Sequence, residues 1–197
     1  FRSRSNFIWR RGARGDFRCC VLFGLRARLD GCVMLTILDE IRATARQHGI
    51  DPNLFEAICC VESSLTPDAI KYEPVYKWLY HPRELAEEIR KKIPGYSVDT
   101  ETAVQRSSIG LCQIMFAIMR EYGFRGSFNE ALSDFRISLS YGAKHLKNYL
   151  KRYPDESDVI ASYNAGSPRK TKGGMYENQT YVDKVYKELL ALRKLST

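Results

Sequence analysis

The chain has 197 residues, 44% of them apolar, so it can bury a core of ordinary size, and one domain is the first expectation. Its formal charge is +8, but eight arginines against two aspartates place six of those charges in residues 1–33, and the remainder is only mildly basic. The cysteines Cys19, Cys20, Cys32, Cys59, Cys60 and Cys112 make no C-x-x-C or His/Cys cluster, which argues against a zinc site or a disulfide framework, and no apolar run is long enough to span a bilayer.

Residues 1–33 are rich in Arg, Gly, Ser and Cys, lack sustained periodicity and begin on Phe1, and the first methionine is Met34. The expectation is a non-native or upstream-translated leader over 1–33 and a functional domain over 34–197. A targeting sequence is the competing idea, since arginines precede Cys19-Cys20-Val21-Leu22-Phe23-Gly24-Leu25. That run is short, Arg26 and Arg28 interrupt it, and no small-x-small cleavage site follows. A nucleic-acid-binding arm ranks last because no recognisable module accompanies the arginines, so no nucleic-acid partner is expected.

After Met34 the spacing of Leu35, Leu38, Ile41 and Ala45 predicts a helix over 36–48, stopped by Gly49. Asp51-Pro52 opens a second helix, with Asp51 as cap and Pro52 in the first turn. Ile50, Leu54, Ile58, Val61 and Leu65 fall on one stripe, and Glu62 sits at its margin beside Phe55 and Cys59. A carboxylate there is partly desolvated, which raises its pKa toward that of a general acid working near neutral pH. An ordinary surface glutamate near a helix end has the same local pattern.

Tyr72, Tyr76, Trp78, Tyr80 and His81 follow without a clear period. They suit a cleft that stacks on sugar rings, or an insertion packed against the body. Helices are expected over 82–92 and 99–105. The small residues from Ser107 to Gly110 then lead into what reads as an apolar helix through Ile114, Ile118 and Tyr122, with Gln113 its one strongly polar side chain before Arg120 and therefore in need of a partner. A long helix from a Ser133 cap, a short one over 157–166 and a last one from Gln179 complete the pattern. No convincing strand appears, so the class is all-α.

Three separated stretches need a common explanation: Glu62-Ser63-Ser64, Gly110-Leu111-Cys112-Gln113-Ile114 and Ser162-Tyr163-Asn164-Ala165-Gly166, with Tyr181-Val182-Asp183-Lys184-Val185 behind them. In this order they resemble the soluble lytic transglycosylases, the SLT-type members of the lysozyme-like superfamily, over roughly residues 50 to 187. The resemblance implies a lysozyme-like helical domain of the goose-type/SLT kind with a catalytic cleft. Glu62 matches the family's catalytic glutamate and Ser63 the serine beside it. Cys112 stands where Met is usual in G-L-M-Q-I, Ser107-Ser108 where Gly-Ala is common, and Ser162 replaces the first Ala of A-Y-N-A-G. Tyr181 matches the tyrosine that closes the site. The interval between Glu62 and Gly110 is longer than in compact members, so subsites in it cannot be carried over.

By that resemblance Glu62 is the catalytic residue. Ser63, Gln113, Ile114, Tyr163, Asn164 and Tyr181 bind substrate, and no cofactor or metal is expected. The partner is the glycan strand of peptidoglycan, cleaved between MurNAc and GlcNAc to leave a 1,6-anhydroMurNAc end. Only one carboxylate has motif support, against the two that ordinary glycosidases use. A hydrolytic muramidase on the same fold, or a non-catalytic peptidoglycan-binding module of a phage or secretion structure, is the alternative. The expected place of action is the peptidoglycan layer in the periplasm or cell wall, by an export route or by phage delivery.

Overall fold

The computed structural model describes residues 31–195, with side chains from Thr36 onward. The expected leader therefore falls almost wholly outside the described residues. Helix α1 (Gly31–Gln47) already begins ahead of Met34 and buries Ile37, Ile41 and Ala45. Gly49, at φ +64°, turns the chain into α2 (Pro52–Ser63), where Asp51 accepts from Asn53 N at 2.9 Å.

Helix α2 is the centre of the molecule. Instead of one apolar stripe it buries every side chain from Leu54 to Cys59, as a helix surrounded by others must. One of these is Glu56, which the sequence reading passed over. Arg42 of α1 holds it with two bonds of 2.6 and 3.2 Å. The last helix, α9 (Gln179–Leu195), lies along α2 and buries Val182, Val185, Leu189 and Leu192 against it. Arg193 ties this packing down at its end by bonding both Asp51 and Glu156.

The molecule is mostly helical, as expected for its class, but it contains a small sheet that the sequence did not suggest. Strands β1 (Ile70–Tyr72), β2 (Ser107–Ile109) and β3 (Ile114–Met115) pair antiparallel in that order. The helix expected through Gly110 and Gln113 is thus corrected to a hairpin, and α5 starts only at Phe116 (Phe116–Glu121). The turn requires positive φ at Gly110 (+74°) and at Gln113 (+47°), which an α-helix cannot accommodate. A side chain at Gly110 would also lie 2.2 Å from Ser138 Oγ.

Further along, α6 (Phe128–Ser133) is a short helix with a Ser127/Glu130 capping box that absorbs the expected Ser133 cap. The long helix α7 (Phe135–Arg152) is capped by Asp134 instead. Helix α8 (Glu156–Ala165) closes on Gly166 at φ +77°. No described helix is long and apolar enough to cross a membrane.

Helices α3 (Pro82–Arg90) and α4 (Val98–Gln105) form a satellite unit around Ala86, Ile89 and Tyr96. Val104 of α4 packs this small unit on the main core, and a buried polar network fastens it further. Glu101, fully buried, meets the fully buried Arg120 of α5 through two bonds of 2.8 and 2.9 Å. It also accepts from Tyr96 at 2.7 Å and Gln105 at 2.8 Å, while Arg120 caps the carbonyls of Phe124 and Gly126. Removing one partner strands the other charge in the core. Arg120→Met or Glu101→Gln should therefore cost about 3–5 kcal/mol in urea unfolding, and the double variant Glu101→Leu/Arg120→Met should lose less than the sum of the two.

Candidate active site

The end of α2 sets the site. Ser64 leaves the helix in the left-handed conformation (φ 53°) and returns its N–H to the Cys60 carbonyl at 3.0 Å, so the last turn is closed and Glu62 points out of it half-buried. Tyr181, in the first turn of α9, donates its hydroxyl to Glu62 Oε1 at 2.7 Å. Burial pushes the Glu62 carboxyl up to about 7, and the Tyr181 bond and the Lys71 ammonium of β1 only partly offset it. Among the described residues no carboxylate adds to that shift. The nearby Glu73 is paired with Lys71 at 2.6 Å, and Asp68 lies exposed in the turn before β1.

The hairpin turn is wedged against this helix end. Ser63 Oγ donates to the Leu111 carbonyl at 2.7 Å, and Tyr163 of α8 donates to the Cys112 carbonyl at 2.8 Å. Helix α7 comes close at Gly142, where an added Cβ would lie 2.1 Å from Cys112 Sγ. Gln113 has its partners in the turn and the strands beside it: its oxygen accepts from Ser108 Oγ of β2 at 3.0 Å, and its nitrogen donates to the Gly110 carbonyl at 2.9 Å and, just ahead of β1, the Ala69 carbonyl at 3.2 Å. Ser63 and Gln113, both expected on substrate, thus spend their side-chain bonds holding the turn. Ile114 is buried in the core, paired with Ile109 of β2.

Asn164 is exposed, and its oxygen accepts from Asn178 at 3.1 Å. The same Asn178 nitrogen donates to the Ala161 carbonyl at 3.0 Å and so fixes the amide of Asn164 with its own nitrogen free. Asn178 and Lys71 were missed in the sequence; Asn178 precedes the last helix by one position, a cap-like place, but no motif marks either residue. Ser162 has a buried hydroxyl without a partner, so its position in the motif asks for small volume rather than for a donor. Burial drives the thiol of Cys59 well up and that of Cys112 up to about 12, which leaves neither a thiolate nucleophile. Among the described residues no group of three His, Cys, Asp or Glu could hold a metal ion.

A family model described as the transglycosylase SLT domain matches residues 39–184, a span that contains Glu62, Ser63, Gln113, Ile114, Tyr163, Asn164 and Tyr181. Comparison with curated proteins and with solved structures finds no match.

The desolvated Glu62 has a consequence for stability. Below its unfolded pKa of 4.5 the group is neutral in both states, and between 4.5 and about 7 only the unfolded chain ionises. The cost to the native state therefore grows across that window and is complete above it. Glu62→Gln should be more stable than the wild type by about 1–2 kcal/mol at pH 8.5, allowing for solvent screening, and no different at pH 4, measured by thermal unfolding at both values.

Proposed function

The chain belongs to the SLT transglycosylase domain family, and from that membership we propose that it cleaves the MurNAc–GlcNAc bond of peptidoglycan with formation of a 1,6-anhydroMurNAc end, Glu62 serving first as acid and then as base. The observation that supports this most is a half-buried carboxyl, protonated up to about pH 7 and held by a tyrosine, whose shift owes nothing to another carboxylate among the described residues. Paired-carboxylate glycosidases assign one group to the leaving oxygen and the other to water or to the anomeric carbon. A single group must do both proton transfers in turn.

In the first step the Glu62 proton passes to the glycosidic oxygen, the C–O bond breaks, and GlcNAc leaves with a free hydroxyl. The MurNAc ring carries the developing positive charge, which its own N-acetyl oxygen stabilises. In the second step the C6 hydroxyl of the same sugar attacks its anomeric carbon and returns a proton to the Glu62 carboxylate. The acid is restored and no water is consumed.

Burial favours the protonated form needed at the start, and the Tyr181 hydroxyl stabilises the carboxylate that exists between the steps. Tyr181 keeps its proton because burial and the adjacent Glu62 hold its pKa well above the usual tyrosine value. The free amide nitrogen of Asn164 is a donor for a sugar oxygen. Ser63, Gln113 and Tyr163 act through the backbone turn they hold. The peptidoglycan layer is the place of action.

Products released from purified peptidoglycan should be one water lighter than reducing-end muropeptides in mass spectrometry, and Glu62→Gln should release them at least about 10²–10⁴-fold more slowly. Reducing ends would replace this reading with hydrolysis, and binding without any product would replace it with a glycan-holding module. The pH profile of kcat/KM should fall as pH rises through about 7, where free Glu62 loses its proton. Tyr181→Phe removes a bond that favours the charged form, so it raises the Glu62 pKa and should move that falling limb to higher pH.

A further inference from the structure

The segment between β1 and α3 displays aromatic and apolar side chains that a folded chain ordinarily hides. Trp78 is 75% exposed, Val75 78% and Tyr72 52%. Yet the segment is tightly held. The fully buried Gln105 grips both sides of the Tyr80 backbone, its oxygen accepting from Tyr80 N at 2.7 Å and its nitrogen donating to the Tyr80 carbonyl at 2.9 Å. Gln105 is itself bonded to Glu101 of the buried ion pair. At the other end Glu73 N donates to the Arg106 carbonyl at 2.7 Å, and inside the segment Tyr76 N returns to the Glu73 carbonyl at 3.0 Å. The Trp78 ring stands edge-on to Tyr76 at 5.6 Å. The backbone that carries the exposed indole is thereby held on both sides of it before anything binds, which lowers the ordering cost of binding.

The segment is also continuous with the candidate site. Tyr72 pairs with Ser107 three residues from the Gly110 turn, about 10 Å along the strand. Ring contacts also step from Tyr163, which braces the turn, to His145 at 5.8 Å and on to Tyr149 at 4.8 Å. Glu121 adds to burial in raising the Tyr76 hydroxyl, and Tyr76 in turn adds to burial in raising that of Tyr149. Two runs of ring contacts, Tyr163–His145–Tyr149 and Tyr76–Trp78, thus accompany the turn and the exposed segment. Its exposed rings are interspersed with Lys71, Glu73, Lys77 and His81, unlike the charge-depleted core of a protein interface. A β-linked strand of N-acetylated sugars has the matching chemistry: apolar C–H faces and acetyl methyls for the rings, and hydroxyls and amides for the polar side chains.

We propose that residues 72–81 form a sugar-stacking ledge, with Trp78 as its main platform, that extends the glycan groove beyond the cleavage site and selects long strands. This rests on the glycan-cleaving reading above. The test uses the Glu62→Gln protein, so that the ligand stays intact, with Trp9→Phe added so that Trp78 is the one indole in the sequence. Titration with the hexasaccharide of β-1,4-linked N-acetylglucosamine should change the emission saturably. By calorimetry Trp78→Ala should weaken the hexasaccharide by about tenfold and leave the disaccharide unaltered, and Trp78→Phe should recover part of the loss. No saturable emission change, or equal hexasaccharide affinity with and without the indole, overturns the ledge. Because binding is read in an inactive protein, the ledge stands or falls apart from the reaction. Hexasaccharide binding at Trp78 with no anhydro products from the wild type sinks the proposed chemistry alone, and anhydro products with no Trp78 effect sink the ledge alone.

Discussion

The close approach of one backbone turn to the end of one helix governs this molecule. Residues 110–113 sit against the last turn of α2, fastened by Ser63 to the Leu111 carbonyl and by Tyr163 to the Cys112 carbonyl. The approach is possible because Gly110 and Gly142 leave no room for a side chain between the turn and α7. Two of the three recognisable motifs meet at this contact and the third braces it. Residues that a motif reading puts on the substrate are here the fasteners, and Glu62 is left projecting with Tyr181 as its hydrogen-bond donor. A displacement of the turn would move the acid's surroundings as a unit, since positioning to within a fraction of an ångström is what such chemistry demands.

Among the described residues the fold places three carboxylates, Glu56, Glu62 and Glu101, in low-dielectric surroundings and treats them differently. Glu56 has the Arg42 guanidinium, and Glu101 has that of Arg120 with two further donors. Both are structural ions whose charge is compensated. Glu62 is given a neutral hydroxyl and a more distant ammonium that is itself shared with Glu73, so burial prevails and the carboxyl rises to about 7. The same side chain becomes a rivet or a proton donor according to whether a guanidinium reaches it.

The polar rivet of Glu101 and Arg120 also explains how so small a satellite as α3 and α4 can hold a loop in a fixed pose. Its apolar cluster is three buried residues with Val98 against them, too little to order an exposed segment. Gln105 transmits the anchoring from the ion pair to the Tyr80 backbone, and the exposed rings of the segment inherit that order.

Local chemistry was legible in the sequence. The Asp51-Pro52 start of α2, the Gly49 and Gly166 stops, the burial of Ile41 and Ala45, and the position of Glu62 at the margin of an apolar helix all follow from neighbours within a turn or two, where capping and periodicity act. The three motifs and the SLT family were legible too. The hairpin was not, because strands of two or three residues carry too few alternations to be told from a helix, and the positive φ at Gln113 is imposed by Ser108, Gly110 and Ala69 rather than preferred by glutamine. Nor were the burial of Ile114, the pairing of Glu56, the hold of Asn178 on Asn164 or the grip of Gln105 on Tyr80, a bond across 25 residues. Sequence fixes which groups are available and how each helix begins and ends. Which carboxylate keeps its proton depends on what comes within a few ångströms of it through space, and only the folded chain decides that.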